Sequence, residues 1–430
     1  MSSPIWQKQS PASIDAKIMD FMAGEDVILD RELFLFDIEA TIAHVKGLHS
    51  IDILSSDENQ NLIEQLNVLA EKFQNGEFVL DNRFEDCHSA IEYYLVEQLG
   101  DAGKRVHTGR SRNDQILVAT RLYLKDSLKQ MQTYCRQAAE SSLQQAKTYE
   151  SMPMPGYTHL QQAVISSVGM WFAGFAEAMI DNLRLINSVL EWVDSNPLGT
   201  AACYGVNLPL NRKLTTEALG FSRMQINPIY AQNSRGKFEL EALSALSQCL
   251  LDIRRYSWDL SLFTTAEFNF VELPDEMTTG SSIMPNKRNP DLIELMRGSY
   301  AVVQAGIVEL QSLLSLPSGY QRDLQFSKAP LLRAMKRGLD TMSLFPEVIN
   351  NTSFNEENLR AAIKAPMYAT DLAIELSASG MPFRDAYQQV VERYEELEQR
   401  TPEQSIKERV SPGACANLML DELEQRLNKA

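Results

Sequence analysis

Apolar residues recur along the longest stretches of this chain at steps of three and four, the period of a helix and not the alternation of a strand. The run Val164, Val168, Trp171, Phe175, Met179, Leu183, Ile186, Leu190, Val193 keeps that step, while Glu177, Asp181, Arg184, Glu191 and Asp194 take the other faces. Arg110 to Met152 contains neither glycine nor proline, and its apolar positions include Val118, Leu122, Leu128, Met131 and Cys135. Lys237 to Leu273 is equally free of both, and Asp291 to Leu316 carries Gly298 and Gly306 but no internal proline. Helices of roughly 35–40 residues would be about 50–60 Å long, far beyond the usual three or four turns. They need burial along the whole rod, as in a bundle core. The pattern predicts an all-α fold in three parts: a helical N-terminal domain over 1–109, a central long-helix bundle over 110–351 and a small helical C-terminal domain over 352–430.

Composition narrows the function. At 430 residues the chain exceeds one hydrophobic core, and 44% hydrophobic with 23% charged residues is an ordinary globular balance. No stretch approaches the roughly 18 apolar residues of a membrane helix. The opening MSSPIWQKQSPASID has no basic-then-apolar order, so a cytoplasmic enzyme without a secretory signal is expected. The five cysteines are scattered without a CxxC pair, and Cys87-His88 has no further donors at ligand spacing. No glycine-rich dinucleotide or P-loop motif occurs, so neither a metal nor a cofactor is expected. A net charge of -17 excludes nucleic acid as partner and obliges any anionic substrate to find a local cluster of Arg and Lys.

Three segments supply such clusters where helices are expected to open. Val106–Gln115 (VHTGRSRNDQ) places Ser111, Arg112 and Asn113 at the first long helix, and Pro155–Gln161 (PGYTHLQ) places Thr158 and His159 at the second. Thr279–Asp291 (TGSSIMPNKRNPD) ends in Asn289-Pro290-Asp291, an N-cap, a proline at the first helical position and an acidic first turn. Each reads alone as ordinary capping. Together they put a hydroxyl, an amide and a cationic or titratable group at three helix starts, whose free N–H groups attract anions. Gly280-Ser281-Ser282 begins a loop with the freedom to move.

GSSIMPNKRNPD resembles the signature of the fumarase/aspartase superfamily. HTGRSRND, GYTHLQ and Tyr320-Gln-Arg-Asp-Leu-Gln325-Phe-Ser-Lys328 narrow the resemblance to the argininosuccinate lyases. Asp37–His44 and Glu85–His88 are similar to further elements of that family, in the expected order over nearly the whole chain. The resemblance implies the elimination of fumarate from argininosuccinate to leave arginine. It places the base at Ser281, with Lys287 and Asn289 on the carboxylate that gains charge. It pairs His159 with Glu294 and gives Ser111, Arg112, Asn113 and Thr158 to the fumarate half. Tyr320, Gln325 and Lys328 fall to carboxylates elsewhere on the substrate. It also implies a homotetramer with shared sites. An antiparallel hairpin of the first two long helices leads to the same conclusion, because it would hold Asn113 and His159 about 50 Å apart within one chain.

The chain departs from the family pattern in places. Asp26 stands where a serine is usual, Asn233–Glu239 re-registers an arginine at Arg235, Asn286 replaces a glutamine, and the C-terminal region is short. These touch the distal end of the substrate more than the elimination. Two alternatives compete: a sister lyase releasing fumarate from adenylosuccinate or aspartate, against which HTGRSRND speaks, and a non-catalytic crystallin-like relative, against which Ser281, Lys287, Asn289, His159 and Glu294 speak.

Overall fold

The computed structural model describes residues 24–430 except residue 82, with Ile18 and Phe21 from the preceding stretch and without the side chains of 394–396. The leader reading of residues 1–15 lies outside the described residues. In chain order the principal elements are α1 (Phe34–His49), α2 (Ser56–Gln74), α3 (Cys87–Leu99), α4 (Arg112–Thr148), β1 (Pro153–Thr158), β2 (Gln161–Ser167) and α5 (Val168–Val193). They continue as α6 (Lys237–Phe263), β3 (Thr279–Gly280), β4 (Arg288–Asn289), α7 (Asp291–Leu313), α8 (Lys328–Asn350), α9 (Ala369–Ala378) and α10 (Phe383–Glu392). The strands among the described residues pair only in twos, so the molecule is built of helices as its periodicity predicts. The 37 residues of α4 rise about 55 Å; the helix stops at Thr148, a few residues short of the glycine- and proline-free run.

The chain divides into two compact units. The first draws on residues 1–126, 192–240 and 309–332. Its core packs α1, α2 and α3 through Phe34, Ile38, Val45, Leu62, Leu66, Leu69, Ile91 and Leu95, all essentially without solvent contact. Two reciprocal caps start its helices. Ser55 accepts from the Glu58 amide while Glu58 reaches back, and Asp86 and Ser89 do the same for α3. The first turns of α4 join this unit where Val118 and Leu122 meet Ala40, Ala43, Leu198 and Phe221.

The second unit draws on 127–191, 241–308 and 333–430. Its centre is aromatic. Trp171 of α5 lies 4.8 Å from the Tyr256 ring of α6 and is ringed by Phe172, Phe175, Phe263 and Phe354. Both polar ends are satisfied, the indole N–H by Asp259 at 2.9 Å and the Tyr256 hydroxyl by Thr352 at 3.1 Å. Where α8 meets α6, a Cβ on Gly338 would stand 2.4 Å from the Leu246 side chain, so a larger residue there would force that leucine to move.

Candidate active site

In the first unit the start of α4, the start of α3 and the turn Arg322–Ser327 surround a cavity of about 650 Å³. Six of the residues expected to bind substrate line it: Ser111, Arg112, Asn113, Tyr320, Gln325 and Lys328. The opening of α4 is a true helix start: Ser111 accepts from the Asn113 amide at 3.2 Å and Asp114 accepts from the Ser111 amide at 3.2 Å. Asp114 is fully enclosed, and burial lifts its carboxyl to about 6.

Neither principal cation of the cavity stands alone. Arg112 donates to Glu85 at 3.0 Å and Asp86 at 2.9 Å. Lys328, buried, donates to Asp30 at 2.7 Å and meets Asp26 at 3.0 Å. Two carboxylates flank one ammonium, and the buried Arg235 guanidinium acts on both of them. Burial raises the Asp26 carboxyl above its usual range against the pull of Lys328. Asp30 also accepts from the Cys87 amide at 3.1 Å, tying the lysine to the first residue of α3. Asp26 and Arg235, noted in the sequence only as departures, both line this cavity.

The second unit carries the other half of the expected set. PGYTHLQ does not open a helix. Thr158 ends β1, Gln161 begins β2, and the strands pair antiparallel with Thr158 opposite Gln161. The two residues between, His159 and Leu160, both take left-handed backbone, φ 55° and 57°, as a two-residue hairpin turn requires. This corrects the expectation of a helix start at Thr158 and His159. α5 begins only at Val168, and the turn lacks the Asn-Gly pair that announces such hairpins in sequence. A side chain on Gly156 would stand 2.9 Å from the Val164 carbonyl, so glycine holds the ribbon closed at its bulge. His159 is exposed at the tip and makes no hydrogen bond or ion pair with the described residues; the ion pair recorded for Glu294 is to Arg297 at 3.5 Å.

Thr279 and Asn289 face each other in the short ladder of β3 and β4, from which residues 281–287 project as a loop, half-buried at Ser281 and exposed beyond it. Its base is anchored where Thr279 donates to Asp291 and where Arg288 binds Thr278 at 2.9 Å, the Leu273 carbonyl at 2.6 Å and Asp275 at 2.7 Å. Within the loop the Ser281 hydroxyl oxygen accepts from the Met284 amide at 3.1 Å and, more weakly, from the Ile283 amide at 3.4 Å. Lys287 stands exposed at the far side of the loop.

A family profile described as Lyase matches residues 8–305. The argininosuccinate lyase of Xanthomonas oryzae pv. oryzae is 57% identical over 427 residues, 99% of each chain. That of Stenotrophomonas maltophilia is also 57% identical over 427 residues, again 99% of each. The chain belongs to the argininosuccinate lyase family. Solved structures agree on the fold. EDDS lyase superposes with TM-score 0.82 at 22% identity, covering 97% of this chain and 91% of its own. The class II fumarase of Schistosoma mansoni superposes with TM-score 0.72 at 16% identity, covering 90% and 94%. The all-α fumarase-type fold expected from periodicity and motif is the fold observed, and no described helix is long and apolar enough to cross a membrane.

Around the lyase's cavity lie further groups without a place in the site as read from sequence: Glu85, Asp86, His88, Glu92, His107, Arg110 and Arg322. Glu85, Asp86 and His88 sit in a stretch similar to the family's, but nothing in the sequence showed that they would meet Arg112 or Asp37. Among the described residues one group offers donors fit for a metal ion, Asp37, Cys87 and His88, within 4.8 Å of one another. The third donor comes from fifty residues before Cys87, which is why spacing around Cys87-His88 did not reveal it. The 2.7 Å separation of Asp37 and His88 is that of a hydrogen bond. Burial and the surrounding carboxylates push the Cys87 thiol well above its usual range, so the group as it stands is a protonated hydrogen-bonded cluster.

Proposed function

We propose that this lyase reversibly splits argininosuccinate into fumarate and arginine, the last step of arginine biosynthesis, in the cytoplasm, as a homotetramer that needs no cofactor. The observation that carries the reading is the Ser281 hydroxyl with two loop amides directed at its oxygen. A serine is a poor base unless its alkoxide is stabilised, and amide donors aimed at the oxygen do that. In the reading, the Ser281 alkoxide takes the proton from the carbon beside a succinyl carboxylate. Lys287 and Asn289 hold that carboxylate as it gains charge. The bond from the neighbouring carbon to the guanidino nitrogen then breaks, and the nitrogen leaves with a proton delivered by His159 or a water it positions, with Glu294 tuning the imidazole. Ser111, Arg112, Asn113 and Thr158 orient the fumarate half; Tyr320, Gln325 and Lys328 hold the amino-acid end.

The reading includes a site shared between subunits, as the resemblance of the sequence implies. The direct test offers argininosuccinate, adenylosuccinate and aspartate separately and follows fumarate by ultraviolet absorbance. Fumarate from argininosuccinate alone is expected; release only from another substrate refutes the assignment. For the shared site, inactive Asn113→Ala and His159→Ala proteins are mixed. Hybrid tetramers regain part of the activity, whereas no recovery after verified subunit exchange refutes sharing.

A further inference from the structure

We propose that His88 is a substrate-binding residue of this lyase, a cationic imidazole contacting a substrate carboxylate in the first unit's cavity, and that the buried Asp37 is its positioning residue. The proposal rests on the reading of the substrate as the tricarboxylate argininosuccinate. His88 is 7% exposed and lines the cavity. Its Nδ1–H donates to the Asp37 carboxylate at 2.7 Å, and the Cys87 sulfur packs 3.5 Å from the same nitrogen and 3.6 Å from the same carboxylate oxygen. One edge of the ring is therefore fully committed. The other nitrogen, Nε2, makes no hydrogen bond to the described residues and is not among the sealed, unpartnered atoms, so the remaining donor opens to the cavity.

The surroundings decide the charge of that edge. Asp37 has no solvent contact, and a buried carboxylate demands a cationic or hydrogen-bonding partner. Asp37 from α1, Asp30 from the turn before it and Asp86 beside it act on the imidazole, as does His107 from the segment that leads into α4; Cys87 packs against it, and Glu92, Arg110 and Arg112 line the same cavity. Burial pulls the His88 imidazole down, but the Asp37 carboxylate and its hydrogen bond, aided by Asp86 and Asp30, lift it above its ordinary 6.5. His107 goes the other way, to about 4, under burial and the charges of Arg110, His88 and Arg112. The two cavity histidines are thus pushed in opposite directions, His88 toward its cationic form and His107 toward its neutral one. Arg112 is already matched by Glu85 and Asp86, and Lys328 by Asp26 and Asp30. The second N–H of His88 is a donor that no carboxylate among the described residues occupies.

The test measures histidine titration by NMR on the 13C-histidine-labelled protein, together with kcat and KM for argininosuccinate at pH 5.5 and 7.5. Wild type is compared with Asp37→Asn and His88→Gln; the latter also assigns the resonance among five histidines. His88 should titrate above 6.5 in wild type and below it in Asp37→Asn. At pH 7.5 the KM of Asp37→Asn should rise about tenfold or more, the loss of a charge-assisted hydrogen bond, with kcat changed far less. At pH 5.5 that difference should shrink, whereas His88→Gln should raise KM at both. A purely structural Asp37 would lower kcat or thermal stability with no pH dependence in KM, and that result overturns the proposal, as does a wild-type His88 titrating at or below 6.5. Should Asp37→Asn fail to fold, the wild-type titration and the KM of His88→Gln decide by themselves. A wild type that does not turn over argininosuccinate refutes the substrate reading instead, and the NMR titration still decides whether Asp37 sets the charge of His88.

Discussion

Replacing Lys328 with methionine leaves the Asp30 carboxylate, which has no solvent contact, with the Cys87 amide as its remaining side-chain hydrogen-bond partner among the described residues. Removing one member of a buried ion pair costs about 3–5 kcal/mol, because the other charge is left uncompensated. The cost should concentrate where Asp30 is tied into the fold, at the start of α3. Native-state hydrogen exchange of the α3 amides reads that local stability without assuming that the whole chain unfolds in one step. At about 1.4 kcal/mol per tenfold, protection should fall by roughly 10² to 5 × 10³. The double variant Lys328→Met/Asp30→Asn removes the stranded charge and should recover most of the loss, a coupling of about 1–3 kcal/mol. Two results would refute the reasoning: a single variant that costs less than about 1 kcal/mol, or a double variant as destabilised as the sum of its parts.

Ser281→Ala should lower kcat by at least about 10²–10⁴ with little change in substrate affinity, while Ser282→Ala, in the same loop, stays near wild type; steady-state kinetics with a binding titration separates the two. Asp114, raised to about 6, binds its proton more tightly folded than unfolded. Its contribution to stability is therefore full below about pH 4 and lost as pH rises through 6, and Asp114→Asn should flatten that part of the stability–pH profile measured by urea unfolding. The loop 281–287 should gain hydrogen-exchange protection when fumarate and arginine bind; equal exchange with and without them contradicts closure.

How much of this was legible in sequence depends on the distance over which each feature is decided. The long helices were readable because α4 and α6 are continuous runs without glycine or proline, and a helix of that length records its own burial in its period. The hairpin at Thr158–Gln161 was not, because a two-residue turn built from His159 and Leu160 leaves no glycine to mark it, and Val164 happens to fall four residues before Val168. In the cavity, the candidate binders at Ser111–Asn113 and Tyr320–Lys328 followed from motif. Their carboxylate partners did not, since Lys328 meets Asp30 across 298 positions and Arg112 meets Glu85 across 27. Such pairings exist only once the chain is folded.

The hairpin tip also bears on how this lyase would respond to selection for heat resistance. Left-handed backbone at two successive non-glycine residues costs roughly 1–2 kcal/mol each, and an Asn-Gly pair would fit the same turn with less strain. A screen that rewards stability alone should therefore drift toward Asn-Gly at 159–160, discarding an imidazole and a leucine that is 76% exposed. Ranked by melting temperature, the winners would be the variants that had lost the proposed proton donor.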